Sequence, residues 1–445
     1  MGAQPQLRRS LGRFDGTMIV MGTIIGIGIF FTPSGVAEQA GSPLMALLAW
    51  FVGGLIALAG GYVYAALGVA HPKTGGPYIY LREGLGRFPA FLYGWMLLMA
   101  IVSGAIAVIG LVFVDYLARF FPMGELARGV TAASVILGLT VINVLGVQWG
   151  SRVQNLFTLL KIVSLAGLIV AGISRGSQEL LVEVSRPAES TALAGFVSAM
   201  VGVLFSFGGW QNLSNVAGEM KRPASDLPKA IFLGLVGVAI LYLLANLAYL
   251  RLLPFDELVG SKAPAAAALE RAIGESAGDV TAILILCSAF GILNGLLLSA
   301  PRVYFAMARD GLLPRMFGHV HPRFRTPVPA ILVQSGMAAL LVFWGNVYAL
   351  LDYVVFADWL FFALNALALF LIVRKGGAGH VNLRAFGYPW VPFLFGTLGA
   401  AVAVGILYYK WENAWKGLLI LLAGALVFAV HSHRTRAGSG GTPRT

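Results

Sequence analysis

Charge is scarce in this chain. Of its 445 residues, only 11% are aspartate, glutamate, lysine or arginine, whereas 58% are hydrophobic. Soluble globular proteins carry about 25% charged residues, so the composition excludes an ordinary soluble domain and favours a chain that lies in lipid. The net charge of +12 would suggest nucleic acid as a partner in a soluble protein. Here the basic residues fall in short connections between apolar segments, so we expect them to set membrane orientation, and we expect no nucleic-acid partner.

Cysteine is almost absent. The single cysteine, Cys287, lies within a hydrophobic run. It cannot form an intramolecular disulfide, and one thiol argues against a structural metal site built on cysteines. The pattern of a cleavable signal sequence is also missing, because the short basic stretch from Met1 to Arg13 leads directly into a full-length hydrophobic segment.

Motifs for nucleotide binding, metal binding and covalent catalysis are missing as well. The sequence has no P-loop, no histidine–glutamate metal signature and no nucleophile–base pair, and its six histidines fall in connections or tails. We therefore predict that the chain is not an enzyme and binds no cofactor and no metal. If it transports a solute, the energy does not come from ATP hydrolysis within this chain.

Long apolar segments dominate what is present. A helix that spans a bilayer needs about 20 predominantly apolar residues. Twelve segments qualify, at roughly 16–38, 43–69, 88–118, 127–146, 153–173, 193–217, 228–250, 278–306, 328–345, 349–373, 388–409 and 414–432. The Ala-rich piece from Ala263 to Ile273 predicts an interfacial helix. The lysines and arginines concentrate in the connections that lie on the same side of the membrane as the N-terminus. This bias predicts a multi-pass protein of the cell (inner) membrane with both termini cytoplasmic.

Twelve spans divide naturally into five, five and two. We predict one transmembrane domain over 1–437, with a first repeat at about 14–174, a second at about 193–374 and extra helices at about 388–433. Since each unit has an odd number of spans, the second lies upside down relative to the first. The Gly/Ser/Thr-rich tail, residues 438–445, is predicted to be disordered.

Glycine interrupts the first and the sixth spans, which open the two units. The interruptions are Gly22–Phe30 and Phe205–Asn212. Such paired breaks indicate the binding site of an inverted-repeat transporter, because freed backbone groups are tolerated in lipid only where they line a cavity. The alternative is that these glycines only allow close packing of helices.

The breaks suit a zwitterionic amino acid. A half-helix N-terminus presents N–H groups and a partial positive charge to a carboxylate, and unwound carbonyls suit an ammonium group. We expect the amides of Gly26, Ile27 and Gly28 to bind the carboxylate. The expected acceptors for the amino group are the carbonyls of Ile24, Phe205, Ser206 and Gly208.

Aromatic side chains at the second break are further candidates for the substrate site. Phe205 is expected to be the lid over the substrate. Phe207 and Trp210 are gate or specificity candidates, and packing of the bundle is their alternative role.

Ionisable residues inside a span are costly and usually functional. Lys161 lies deep in the fifth span, where it either replaces a bound cation or carries a proton; snorkelling to the interface is the alternative. Asp358, some nine residues into its span, is a second candidate, although a capping or water-facing role is equally compatible with its position. No fixed charge is evident where a substrate side chain would sit, which favours neutral substrates.

Several stretches resemble the amino acid–polyamine–organocation (APC) superfamily, and within it the L-type amino acid transporter (LAT) family. They are residues 22–33 with 40–43, residues 73–78, residues 153–161, and residues 205–220 with 246–249. The resemblance covers about residues 12 to 375. It implies an all-α leucine-transporter-type fold of twelve transmembrane helices, with a five-plus-five inverted repeat, two extra helices, alternating access and helices 1 and 6 unwound at mid-membrane. It also implies that Lys161 stands where sodium-coupled carriers bind an ion, and that Tyr249 helps to close the site.

Two departures from the family pattern carry information. Ile27 stands where family members often have a small polar residue, so a hydroxyl contact is lost. Eukaryotic members bind a glycoprotein partner through a cysteine in the outer loop after the third span, and residues 119–126 contain none. We therefore expect a stand-alone, prokaryotic-type carrier without a disulfide-linked heavy chain.

The combined prediction is a sodium-independent exchanger of neutral L-amino acids that works by alternating access. A proton-coupled amino acid symporter, with Lys161 or Asp358 as the proton carrier, is the alternative within transport. A membrane amino-acid sensor that binds without moving substrate is the alternative from another class.

Overall fold

The computed structural model describes residues 7–178, 192–343, 350–377, 387–409 and 411–439. Within these ranges the regular structure is helical, apart from one isolated β-bridge between Leu11 and Met220. The helices are α1 Arg13–Ile24, α2 Gly28–Ala40, α3 Pro43–Ala70, α4 Pro77–Leu85, α5 Arg87–Met96, α6 Val102–Leu117, α7 Glu125–Val144, α8 Val147–Arg175, α9 Ala192–Ser206, α10 Asn212–Asn215, α11 Pro223–Leu252, α12 Phe255–Gly260, α13 Pro264–Ile273, α14 Ala277–Ser299, α15 Pro301–Arg309, α16 Val328–Val342, α17 Leu350–Arg374, α18 Trp390–Tyr409 and α19 Trp411–Ser439.

The apolar character expected of a membrane protein is present. Among the described residues, 8 helices are long and apolar enough to cross a membrane, and the bent pair α1–α2 would be a ninth. Shorter apolar helices cover Ala194–Ser206, Val328–Val342 and Trp415–His431. Of the predicted disordered tail, Gly438 and Ser439 belong to α19, and residues 440–445 lie outside the described ranges.

The first predicted break is a real interruption of the helix. Helix α1 ends at Ile24 and α2 begins at Gly28, and the two axes differ by 49°. Ile25 leaves the helical region with a ψ of 89°, while its N–H still bonds to the carbonyl of Met21. Gly26 and Gly28 flank Ile27 within this interruption, and glycine tolerates such a change of direction because it has no side chain.

The second predicted break is also interrupted in the structure. Helix α9 ends at Ser206, a turn follows, and only one short helix, α10, precedes a 3₁₀ turn at Ala217–Glu219. Gly209 has a φ of 129°, a value that side-chain-bearing residues rarely adopt. A Cβ at this position would also lie 2.5 Å from the carbonyl oxygen of Thr23. The turn thus requires glycine both for its backbone conformation and for its close approach to α1.

Some local features differ from the predicted spans. The third span is divided by a π-helical segment, Leu97–Ile101, between α5 and α6. The loop after the second span contains α4, and Pro301 starts a separate helix where one continuous span was expected. Proline cannot supply the N–H that would continue the ladder of α14, which explains that boundary. The predicted helix at 263–273 is present as α13.

Packing brings the two breaks to the centre of the bundle. Helix α1 contacts α8, α11 and α14, and α2 contacts α9. Helix α11 lies against α1, α3 and α8. The short helix α10 after the second break also contacts α1, α11 and α14, so several of the same helices surround both breaks.

Candidate functional site: a cavity between two broken helices

A cavity of about 490 Å³ lies between the two breaks. Its wall includes every residue of the predicted backbone site: Ile24, Gly26, Ile27, Gly28, Phe205, Ser206 and Gly208. The π-helical segment, α6, α14 and α17 complete the wall with largely apolar side chains. The structure therefore places the predicted backbone groups around one space.

Hydrogen bonds fasten the two breaks to each other. The Thr23 hydroxyl donates to the carbonyl of Gly209 at 3.1 Å. The hydroxyls of Thr32 and Ser206 lie 2.9 Å apart. These bonds join α1 and α2 to the turn after α9, so the two interrupted segments form one unit.

Tyr242 of α11 bridges the same two segments. Its hydroxyl lies 2.9 Å from the carbonyl oxygen of Ile24 and 3.2 Å from that of Ser206. A carbonyl has two lone pairs, so both oxygens keep capacity for a further donor. Sequence reasoning missed this residue. The available signal was a tyrosine deep in an apolar span, because a buried tyrosine hydroxyl needs a partner.

The start of α2 has free donors. The N–H groups of Ile27 and Gly28 make no hydrogen bond to any residue in the described ranges. Such groups at a helix N-terminus carry partial positive charge, and they favour an anion such as a carboxylate. Gly28 also packs closely, because a Cβ there would lie 3.0 Å from the Ser206 hydroxyl.

Lys161 of α8 is buried against the end of α1. Its Nζ donates to the carbonyls of Gly22 at 2.7 Å and Ile25 at 2.8 Å. Its relative exposure is 1%, so the amino group does not snorkel to the surface. The last carbonyls of a helix lack partners within the helix and carry partial negative charge, and an ammonium group satisfies both needs.

Three other predicted residues lie away from the cavity wall. Phe207 is buried between Trp50 and Tyr242, with ring centroids 6.1 and 5.1 Å away. Trp210 stacks on Phe362 at 5.2 Å. Tyr249 donates from its hydroxyl to the carbonyl of Ile29 at 3.1 Å. Phe207 and Trp210 therefore pack behind the cavity, and Tyr249 anchors α2. Phe205, by contrast, is 37% exposed and lines the cavity.

Asp358 lies on the cavity wall, in the stretch of α17 that also contributes Trp359 and Phe362. An ionisable side chain therefore borders the cavity, where the sequence analysis noted no fixed charge. The π-helical segment is the other feature that sequence reasoning missed, since Leu97 and Ile101 line the cavity. π-helical turns often occur at functional sites, but apolar periodicity alone does not reveal them.

The end of the bundle where α1 begins is tightly closed. The N–H groups of Ser10 and Leu11 donate to the carbonyl of Glu219 at 2.8 and 3.0 Å. The Glu219 carboxylate accepts from Arg302 at 2.7 Å, and both side chains are fully buried. Asp226 pairs with Arg13 at 3.2 Å. The chain entering α1 is thus fixed to the segment that follows the second break.

A polar cluster joins α4 to the residue after α15. Asp310 accepts hydrogen bonds from Tyr78 and Arg82, and burial together with the bond to Asp310 raises the pKa of the Tyr78 phenol above its ordinary value. Arg82 also donates to Glu83 at 2.6 Å and lowers the pKa of that carboxyl group. The cluster fixes the loop that contains α4 against the bundle.

Comparison with known proteins agrees with this architecture. Residues 11–429 match the family described as "Amino acid permease". The chain is 37% identical to the serine/threonine exchanger SteT of Bacillus subtilis over 95% of its own length and 96% of that protein. It is 33% identical to Asc-type amino acid transporter 1 of Homo sapiens, over 95% and 82% of the two chains. It is 35% identical to the large neutral amino acids transporter small subunit 2 of Mus musculus, over 96% and 82%. The chain belongs to the amino acid permeases of the APC superfamily, among relatives of the LAT family.

Proposed function

We propose that this protein is a sodium-independent exchanger of neutral L-amino acids that works by alternating access. The observation that carries the proposal is the cavity between two helix breaks, with unbonded amides on one side and carbonyls on the other. An amino acid backbone carries both the carboxylate and the ammonium group that such a site would satisfy.

The proposed pose follows from the partial charges. The substrate carboxylate binds at the start of α2, on the amides of Gly26, Ile27 and Gly28. The ammonium group binds near the carbonyls of Ile24, Phe205, Ser206 and Gly208, of which Ile24 and Ser206 already accept from Tyr242. Phe205 borders the opening and is the proposed lid.

Lys161 supports the proposed independence from sodium. Its ammonium group occupies the space beside the end of α1 and bonds to two carbonyls there. A fixed charge in this position supplies the electrostatic support that a bound cation would otherwise provide. The names of relatives also favour exchange, because one of them is a serine/threonine exchanger.

The proposed membrane arrangement has twelve spans in a five, five and two order. Nine spans correspond to the 8 long apolar helices and the bent pair, and the shorter apolar helices supply the rest. With the termini in the cytoplasm, the closed end where α1 begins faces inward and the cavity faces outward. We further propose a carrier that needs no heavy chain, because the single cysteine belongs to α14 rather than to an outer connection.

Counterflow in proteoliposomes tests the function. Liposomes loaded with unlabelled amino acids should accumulate a labelled neutral amino acid with or without sodium, and empty liposomes should accumulate little. Uptake into empty liposomes driven by an inward proton gradient would instead favour the symporter. Saturable binding to purified protein without any accumulation would favour the sensor.

A further inference from the structure

Asp358 is a carboxylate in an otherwise apolar part of the cavity. It lies on α17, and its neighbours on the wall include Val355, Trp359 and Phe361. The residue is partly exposed and lines the cavity. Among the described residues, the phenols of Tyr64 and Tyr93 are ionisable groups that lie close enough to Asp358 to interact with it electrostatically.

The carboxylate has no cationic partner in the described part of the chain. Asp358 makes no hydrogen bond or ion pair there, and the cavity wall includes no lysine, arginine or histidine. The contrast with Glu219 and Asp226 is clear, because each of those carboxylates is paired with arginine. Asp358 is therefore available to a group that enters the cavity.

The free-energy cost of a carboxylate in an apolar cavity indicates which kind of substrate side chain it favours. A carboxylate in apolar surroundings is unfavourable unless it receives hydrogen bonds, a positive charge or a proton. When a substrate excludes water from the cavity, an aliphatic side chain supplies the carboxyl group with neither a hydrogen bond nor a charge. A side chain with an O–H or N–H donor replaces the lost water, so binding becomes selective for such a donor.

We propose that Asp358 makes the side-chain end of the cavity selective for amino acids whose side chain donates a hydrogen bond, a hydroxyl or an ammonium group. The proposal rests on the proposed function, since it assumes that the two breaks bind the amino acid backbone. Among neutral amino acids it favours those with a hydroxyl over purely aliphatic ones, and an ammonium side chain would extend the substrates beyond the neutral class.

Isosteric substrates test this in the unaltered protein. Threonine and valine have nearly the same shape and differ by the hydroxyl, so threonine should compete for counterflow about tenfold better or more, the factor expected for a hydrogen bond to a charged acceptor. Ornithine identifies the donor: weaker competition than that of threonine indicates a hydroxyl, whereas stronger competition indicates an ammonium group and would contradict the neutral substrate class of the proposed function. The proposal is overturned if valine competes as well as both.

A variant locates the selectivity. In Asp358→Ala, the ratio of threonine to valine competition should fall to about one while valine transport continues, which also shows that the variant folds. Asp279→Asn removes a carboxylate from an exposed ion pair with Arg119 and should keep the original ratio. An unchanged ratio in Asp358→Ala overturns the proposal. Absence of any counterflow in the unaltered protein would contradict the proposed function instead, so the two failures are distinguishable.

Discussion

At the scale of single residues, Lys161 is the ionisable side chain whose structural partners are most clearly defined. The sequence identified it as an ionisable residue deep in a span, and the structure places its Nζ on two carbonyls at the end of α1. The identity of those partners could not be predicted, because it depends on how α8 is rotated against α1. The cost of burying a charge explains why the residue itself could be found.

Replacing Lys161 by alanine should reduce exchange by about tenfold or more, because two buried carbonyls lose a charged donor. Initial rates of counterflow, normalised to reconstituted protein, measure the effect. Lys262→Ala, in the connection between α12 and α13, is the control and should keep the original rate. An alanine variant at 161 with unchanged exchange would remove this lysine from the mechanism.

Neighbouring glycines at the second break should respond differently to one added methyl group. In Gly209→Ala the Cβ would lie 2.5 Å from the Thr23 carbonyl at a φ of 129°, whereas in Gly208→Ala the nearest atom is the Phe205 carbonyl oxygen at 3.4 Å. We expect Gly209→Ala to lower the melting temperature of the purified protein and to abolish exchange. Gly208→Ala, the matched control, should fold normally. Equal stability of the two variants would contradict the close approach of the two breaks.

At the scale of elements, the interruption of α1–α2 and the end of α9 were predictable because glycines cluster in the spans that open the two predicted repeats. The π-helical segment and helix α4 were not predicted, since neither changes the apolar pattern that reveals a span. For Phe207 and Trp210, the sequence left open a choice between gating the substrate site and packing the bundle. Both are next to the break in sequence, but the turn after α9 directs their side chains into the packed bundle.

Tyr242 should couple the two broken elements. Its hydroxyl is the one side-chain group in the described ranges that bonds to carbonyls of both α1 and α9. In Tyr242→Phe we expect a decrease in exchange of about two- to tenfold, because the one O–H donor that the two carbonyls share is lost, a hydrogen bond of roughly 0.5–1.5 kcal/mol, while ring packing is kept. Counterflow rates and melting temperature should be measured together. Tyr62→Phe, outside the cavity wall, is the control; an equal effect there would contradict the bridging role.

At the scale of the whole molecule, composition and span length were enough to place the chain in a membrane, and motifs were enough to indicate its superfamily. The character of the substrate space was less predictable. Asp358 lies about 150 residues in sequence from the second break, and its place on the cavity wall follows from tertiary packing that no local pattern encodes. The proposed function requires the two helix breaks to bind one amino acid together, and substrate analogues can test this.

The most direct test of that claim is counterflow with analogues that lack one end of the amino acid backbone. For the best substrate of a competition panel, the corresponding amine without the α-carboxylate and the corresponding acid without the α-amino group should each fail to exchange or compete. The amino acid itself should do both, because the start of α2 binds the carboxylate and the carbonyls of the two breaks bind the ammonium group. Exchange of either analogue at the rate of the amino acid would contradict binding of the amino acid backbone by both breaks.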